Sequence, residues 1–277
     1  MIEIKDLVFK YGKKEVYNGL SLTFEKGNIY GLLGKNGTGK STLFRNICGL
    51  LYPQSGSVIT FEFNAKERNP NMLNRLFLLP EEFHVPPISV KDFASSLAPF
   101  YSNFSQQLFE ELLNDFQISQ DNNLSQMSLG QKKKALIAFS LATNTELLMM
   151  DEPTNGLDIM SKVQFKKVMS KVSSQDKCII ISTHQVKDIE NLVDRLTVID
   201  SGNLLFDQSM VDISKKLNFS NHIQKPITAL YTDETLKGFE CIEINESNLD
   251  SKVDLELLYK GIMNIPDQLN QIFSTHV

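Results

Sequence analysis

At 277 residues, 42% hydrophobic and 22% charged, the chain has the composition of a soluble globular protein. It is long enough for one large domain or one domain with an extension. Its net charge of −5 argues against the basic surface that serves nucleic-acid binding, and no apolar run reaches the length of a membrane span. Cys48, Cys178 and Cys241 lie far apart in apolar segments. They have no metal-ligand spacing and read as reduced core residues of a cytosolic protein. The first residues, Met1 to Asp6, lack the basic and apolar regions of a signal peptide.

Ile2 to Lys10 reads as a strand, and Val16 to Phe24 as a second one joined to it by a turn at Gly12-Lys13-Lys14. Lys26-Gly27 turns the chain into a short apolar strand, Asn28 to Leu33. Gly34-Lys35-Asn36-Gly37-Thr38-Gly39-Lys40-Ser41-Thr42 follows, and then a helical pattern to Leu50. Ser57 to Phe61 is a further strand, which with the first two predicts a small antiparallel sheet. Asn69-Pro70-Asn71 breaks the chain before a buried strand over 75–79. From about 82 to 128 the pattern becomes helical, at Asp92 to Tyr101 and Ser105 to Phe116. A helix from Ser128, a strand ending in Asp151-Glu152, a helix over 158–172, a strand running to His184 and two strands around Gly202 complete the alternation. Strands alternating with helices predict a mostly parallel α/β sheet. Beyond residue 217 the pattern changes, with strands expected at Ile227 to Tyr231 and Phe239 to Ile244 and a helix at Val253 to Met263.

The glycine-rich stretch reads G-x-x-x-x-G-K-S between a strand and a helix, the arrangement in which the motif binds phosphate. Glycines let several backbone N–H groups converge on one anion, and the following helix adds its positive end. Gly34, Asn36, Gly37, Thr38, Gly39, Lys40, Ser41 and Thr42 are the candidate contacts. Lys40 brings charge to the outer phosphates, and the Ser41 hydroxyl suits Mg²⁺. Asp151 suits the same metal, and Glu152 suits deprotonation of an attacking water. In such a sheet ligands gather at the C-terminal ends of strands, where this loop, both carboxylates and His184 all fall.

This order of motifs resembles the nucleotide-binding subunits of ATP-binding cassette (ABC) transporters over residues 1 to about 210. Met127-Ser128-Leu129-Gly130-Gln131 stands where that family carries its L-S-G-G-Q signature. Asn155-Gly156-Leu157-Asp158 resembles its D-loop, His184 stands at its switch histidine and Tyr11 at the aromatic that stacks on adenine. The resemblance implies a P-loop NTPase core (1–217) with an antiparallel β-subdomain and a helical insertion, followed by a small α+β extension (218–277). It implies an Mg²⁺-dependent ATPase on the cytoplasmic face of a membrane, peripheral to a separate spanning subunit. Two copies, or this chain and a related one, would pair head to tail around two ATP molecules. Ser128, Gly130, Gln131 and Asp158 of one copy would then close on the phosphates held by the other, with His184 contacting the γ-phosphate. Phe83, Val85, Pro86 and Pro87 would border the groove that receives the membrane partner.

Two positions depart from the family pattern. Leu129 replaces the first signature glycine, so its side chain must point away from the phosphate. Glu81 stands where glutamine is usual; it can ligate Mg²⁺ but adds negative charge near the phosphates. Lys132-Lys133-Lys134 reads as a solvated helix face. The C-terminal segment resembles tails of bacterial exporter subunits, which favours export. Two other readings are a soluble ABC ATPase serving an assembly process and an ATP-gated module with weak hydrolysis.

Overall fold

The computed structural model describes residues 1–172, 175–247 and 249–274. A hairpin opens the chain, β1 (Ile2–Tyr11) and β2 (Lys14–Phe24), with Ile2 opposite Phe24. β3 (Asn28–Leu33) runs through the glycine-rich loop into α1 (Lys40–Ile47). β4 (Ser55–Thr60) and β5 (Phe63–Asn64) complete an antiparallel sheet of order β2-β1-β4-β5. At Asn69-Pro70-Asn71, where the sequence suggested only a break, Asn69 accepts from the amide of Asn71 and caps one helical turn, α2 (Pro70–Leu73). β6 (Leu76–Leu79) follows.

Two helices, α3 (Val90–Leu97) and α4 (Gln106–Asp115), form the insertion. α3 starts and stops earlier than the expected 92–101. The Ser89 hydroxyl caps it by accepting from the Asp92 amide at 3.0 Å, and Pro99 lacks the N–H that would continue it. The core then alternates through α5 (Leu129–Ala142), β7 (Leu147–Asp151), α6 (Ile159–Val172), β8 (Cys178–Thr183), α7 (Val186–Ile189), β9 (Arg195–Asp200) and β10 (Asn203–Ser209). The central sheet has the order β10-β9-β3-β8-β7-β6 and is parallel except for the edge strand β10.

Both faces of this sheet are buried, which explains its unbroken apolar strands. Successive side chains point to opposite sides. Leu148, Met150, Ile179 and Ile181 meet the core shared with α4, α5 and α6. Leu147, Met149, Cys178 and Ile180 meet the core shared with α1 and the antiparallel sheet.

After α8 (Met210–Lys216) a third sheet forms from β11 (Leu217–His222), β12 (Tyr231–Thr235) and β13 (Gly238–Ile244), in the order β11-β13-β12. α9 (Leu255–Asn264) and α10 (Pro266–Ser274) close the described chain. The strand expected at Ile227 to Tyr231 is not one. Ile227 follows Pro226 in a loop and is fully exposed, and pairing begins only where the Leu230 amide donates to the Ile242 carbonyl. Ile242, Leu255, Leu258, Ile262 and Leu269 belong to the same apolar cluster as the face of the central sheet covered by α4, α5 and α6. The hydrophobic core therefore runs without interruption into the C-terminal segment.

Candidate active site

β3, β8 and β7 lie side by side and parallel, with Leu33 opposite Thr183 and Asp151 opposite Ser182. The loop after β3, the carboxylates at the end of β7 and His184 after β8 therefore share one edge of the sheet. Between them lies a cleft of about 270 Å³ lined by Tyr11, Lys14, Val16, Asn36, Gly37, Gly39, Lys40, Ser41, Thr42, Glu81, Asp151 and Glu152.

The loop is packed so tightly that side chains would disrupt it. A Cβ on Gly34 would lie 2.5 Å from the Ile199 carbonyl oxygen and 2.6 Å from Thr38 Oγ1. Gly39 sits at φ +111°, and the buried Tyr17 hydroxyl donates to its carbonyl. Thr38 Oγ1 donates to the Lys35 carbonyl at 2.9 Å. Lys40 is folded back into its own loop, donating to the carbonyls of Gly34 at 2.7 Å and Lys35 at 3.2 Å. Its Nζ is 3.6 Å from Glu152 Oε1. Burial draws the Lys40 pKa down, and the carboxylates of Glu152 and Asp151 oppose that shift.

Asp151 Oδ1 accepts from Ser182 Oγ at 2.5 Å. Glu152 adopts φ +47°, rare for a residue with a side chain, and its amide donates to the Ser182 carbonyl at 3.0 Å. Its Oε1 lies 2.9 Å from His184 Nδ1. Its other oxygen, Oε2, is buried and has no hydrogen-bond partner among the described residues. A buried carboxylate oxygen without a partner is an uncompensated polar atom beside the cleft. Glu81 Oε1 accepts from Asn155 Nδ2 at 2.9 Å. Ser41, Asp151 and Glu81 together offer only hard oxygen donors, which suits Mg²⁺. Among the described residues no three His, Cys, Asp or Glu side chains group as a metal cage. A metal at this cleft would thus share its coordination with phosphate oxygens and water.

Tyr11 stands at the mouth of the cleft, half-exposed. Its ring meets Phe9 edge-on at 4.9 Å and its hydroxyl is 3.5 Å from Thr42 Oγ1. Ser128, Gly130, Gln131 and Asp158 do not line the cleft of their own chain. Ser128 and Gln131 form a capping box at the start of α5, each side chain accepting from the other's amide at 3.3 and 3.0 Å. Asp158 accepts from the Ser161 amide at the start of α6, which holds its carboxyl below the usual range. Leu129 is 63% exposed and leans over Gly156, whose Cβ would lie 3.7 Å from its Cδ2.

Lys133 corrects the reading of Lys132-Lys133-Lys134 as a solvated face. It is 3% exposed, and its ammonium donates to the carbonyls of Glu152 at 2.9 Å and Asn155 at 2.8 Å. The signal was present in the helical period, since Lys133 falls on the same face as the buried Leu136, Ile137 and Ser140. Also unanticipated is Asp188 on α7, which accepts from Thr154 Oγ1 at 2.6 Å and from Lys162 Nζ at 2.8 and 2.9 Å. It ties the turn after Glu152 to the segment after His184.

The sequence pattern described as ABC transporter matches residues 17–155. The lantibiotic transport ATP-binding protein SrtF of Streptococcus pyogenes is 31% identical over 80% of this chain and 97% of its own length. The bacitracin transport ATP-binding protein BcrA of Bacillus licheniformis is 28% identical over 98% of this chain and 86% of its own. A solved ATP-binding subunit of an ABC transporter superposes with a TM-score of 0.69 at 23% identity, covering 77% of this chain and 91% of that one.

Proposed function

From the premise that the chain belongs to the ABC transporter family, we propose how this ATP-binding, ATP-hydrolysing subunit works and with what. The observation that carries the reading is the meeting of Glu152 and Lys40 in one cleft beside the glycine-rich loop, with Lys40 Nζ 3.6 Å from Glu152 Oε1. The backbone of residues 34–39 and the N-terminal end of α1 cradle the phosphates. Lys40 turns its ammonium from the loop carbonyls to the outer phosphate oxygens, and Tyr11 stacks on the base. Glu152 takes the proton of the attacking water, and His184, touching the same carboxylate, positions it. Ser41, Asp151 and Glu81 would hold Mg²⁺, whose charge would neutralise that of the phosphates.

We propose that two such subunits, identical or related, pair so that Ser128, Gly130, Gln131 and Asp158 of one face the cleft of the other. Support comes from the position of these residues outside their own cleft and from the apolar patch beside them. Leu129, Ile159, Met160 and Val163 are all exposed there, which is unusual unless a surface is covered. Among the described residues no helix is long and apolar enough to cross a membrane. We assign the spanning part to a separate subunit and this chain to the cytoplasmic face, with half-buried Phe83 and Val85 toward that partner. Residues 1–217 form the ATPase unit in this reading and 218–277 an appendage. Export is the proposed direction. It rests on the likeness of the C-terminal segment to exporter tails.

The test is a pull-down of the tagged Glu152→Gln chain from detergent-solubilised membranes of its source. Co-purification of a stoichiometric multi-span protein supports the reading. Recovery of soluble partners alone, with the chain missing from the membrane fraction, would replace it with an assembly ATPase.

A further inference from the structure

Three carboxylates, Glu81, Asp151 and Glu152, line a single cleft. Like charges gathered in one cleft repel when partly withdrawn from water, and in the proposed working state Lys40 is committed to the phosphates. The second buried cation of the region is Lys133, which reaches the backbone behind the carboxylates from the helix that begins at Ser128. Its two carbonyl partners belong to Glu152 and to Asn155, and Asn155 in turn donates its side-chain amide to Glu81. Asn155 therefore holds Glu81 through its side chain and Lys133 through its main-chain carbonyl, and Lys133 also holds the carbonyl of Glu152. Burial draws the Lys133 pKa down, and the Glu81 carboxylate is the foremost charge opposing that, ahead of Glu152 and Asp151. The carbonyl that Lys133 holds belongs to the residue at φ +47°, whose amide is pinned from the other side by Ser182.

We propose that Lys133 is a positioning residue whose charge answers the unusual carboxylate at Glu81, the two together fixing the turn 152–155 against the helix that carries Ser128 and Gly130. The proposal rests on the reading of Glu152 as the base. Lys133 touches no reacting atom; it sets where Glu152 stands relative to α5. Before any metal binds, the carboxylate at Glu81 is tolerated in this cleft because the cation behind it is there, and the two substitutions must be felt as one.

A double-mutant cycle tests this: Lys133→Met, Glu81→Gln and the pair, with the unfolding midpoint of the nucleotide-free chain measured beside kcat and KM for ATP. Lys133→Met alone lowers kcat by about tenfold or more with KM moved less than about threefold, the pattern of lost positioning. It also lowers the unfolding midpoint. With Glu81→Gln present, both losses shrink to less than half, because the uncompensated charge is gone. Lys133→Gln, which keeps an N–H donor on a side chain one atom shorter but carries no charge, behaves like Lys133→Met. Equal losses in the two backgrounds would overturn the proposal, as would full activity in Lys133→Gln, since either result reduces Lys133 to a hydrogen-bond donor. Should Lys133→Met not fold, the cycle is completed with Lys133→Gln. Should Glu152→Gln hydrolyse ATP normally, the reading of Glu152 fails, while the cycle in unfolding midpoints still decides whether Glu81 and Lys133 are a charge pair.

Discussion

Around the cleft the charges are inside. Lys40, Lys133, Asp151 and Glu152 are all buried, and each is held by backbone carbonyls, a hydroxyl or another charge. In the last sixty or so residues the charges pair at the surface, as in Lys260–Asp233 at 2.6 Å, or reach across to the rest of the chain, as Glu256 does to Lys187 at 2.8 Å. Order there comes from apolar side chains, Ile242, Leu255, Leu258, Ile262 and Leu269, inserted into the shared core. One region depends on the placement of individual atoms and the other on volume filled. Substitutions in the first should be read in rates, and substitutions in the second in stability.

The largest expected effect tests the first half of that contrast. Glu152→Gln keeps size and most contacts but removes the proposed base, so phosphate release in single-turnover assays should fall by about 10²–10⁴-fold while ATP is still bound. A loss under tenfold would place the base elsewhere. Leu258→Ala tests the second half. It empties a fully buried site on α9 and should cost about 2–5 kcal/mol in urea unfolding, with KM for ATP unaltered in the protein that remains folded. An altered KM at unchanged stability would reverse the assignment of roles.

Tyr11→Ala sharpens the contrast at its border, because this aromatic is half-exposed yet assigned to the nucleotide. Losing a stack on the base should weaken ATP binding by about 1–3 kcal/mol, and Tyr11→Phe should restore it. Equal binding by all three forms would leave Tyr11 a surface residue. Lys260→Ala is the smallest effect, because the pair is partly exposed to solvent. It should change stability by less than about 1 kcal/mol, and the difference should vanish in concentrated salt. A salt-independent loss would mean that the C-terminal segment relies on charge after all.

The same contrast explains what could be read in advance. The phosphate loop, Asp151-Glu152 and His184 occupy contiguous stretches at the ends of apolar strands, so spacing alone placed them on one edge. Lys133 was hidden by its neighbours, since three consecutive lysines look solvated until the helical period is followed residue by residue. β11, with the sequence Leu217-Asn218-Phe219-Ser220-Asn221-His222, was invisible because its residues are mostly half-buried and show no clean alternation. Ile227 misled in the opposite sense, an apolar residue outside any strand and fully exposed.

Glu152 bears two costs that have nothing to do with folding well. A left-handed backbone costs a residue with a side chain about 1–2 kcal/mol, and a buried oxygen without a partner adds to it. Glycine would relieve both. A library of variants sorted only for heat resistance should therefore drift toward glycine at this position. The hardiest molecules it returned would be those unable to turn over their substrate.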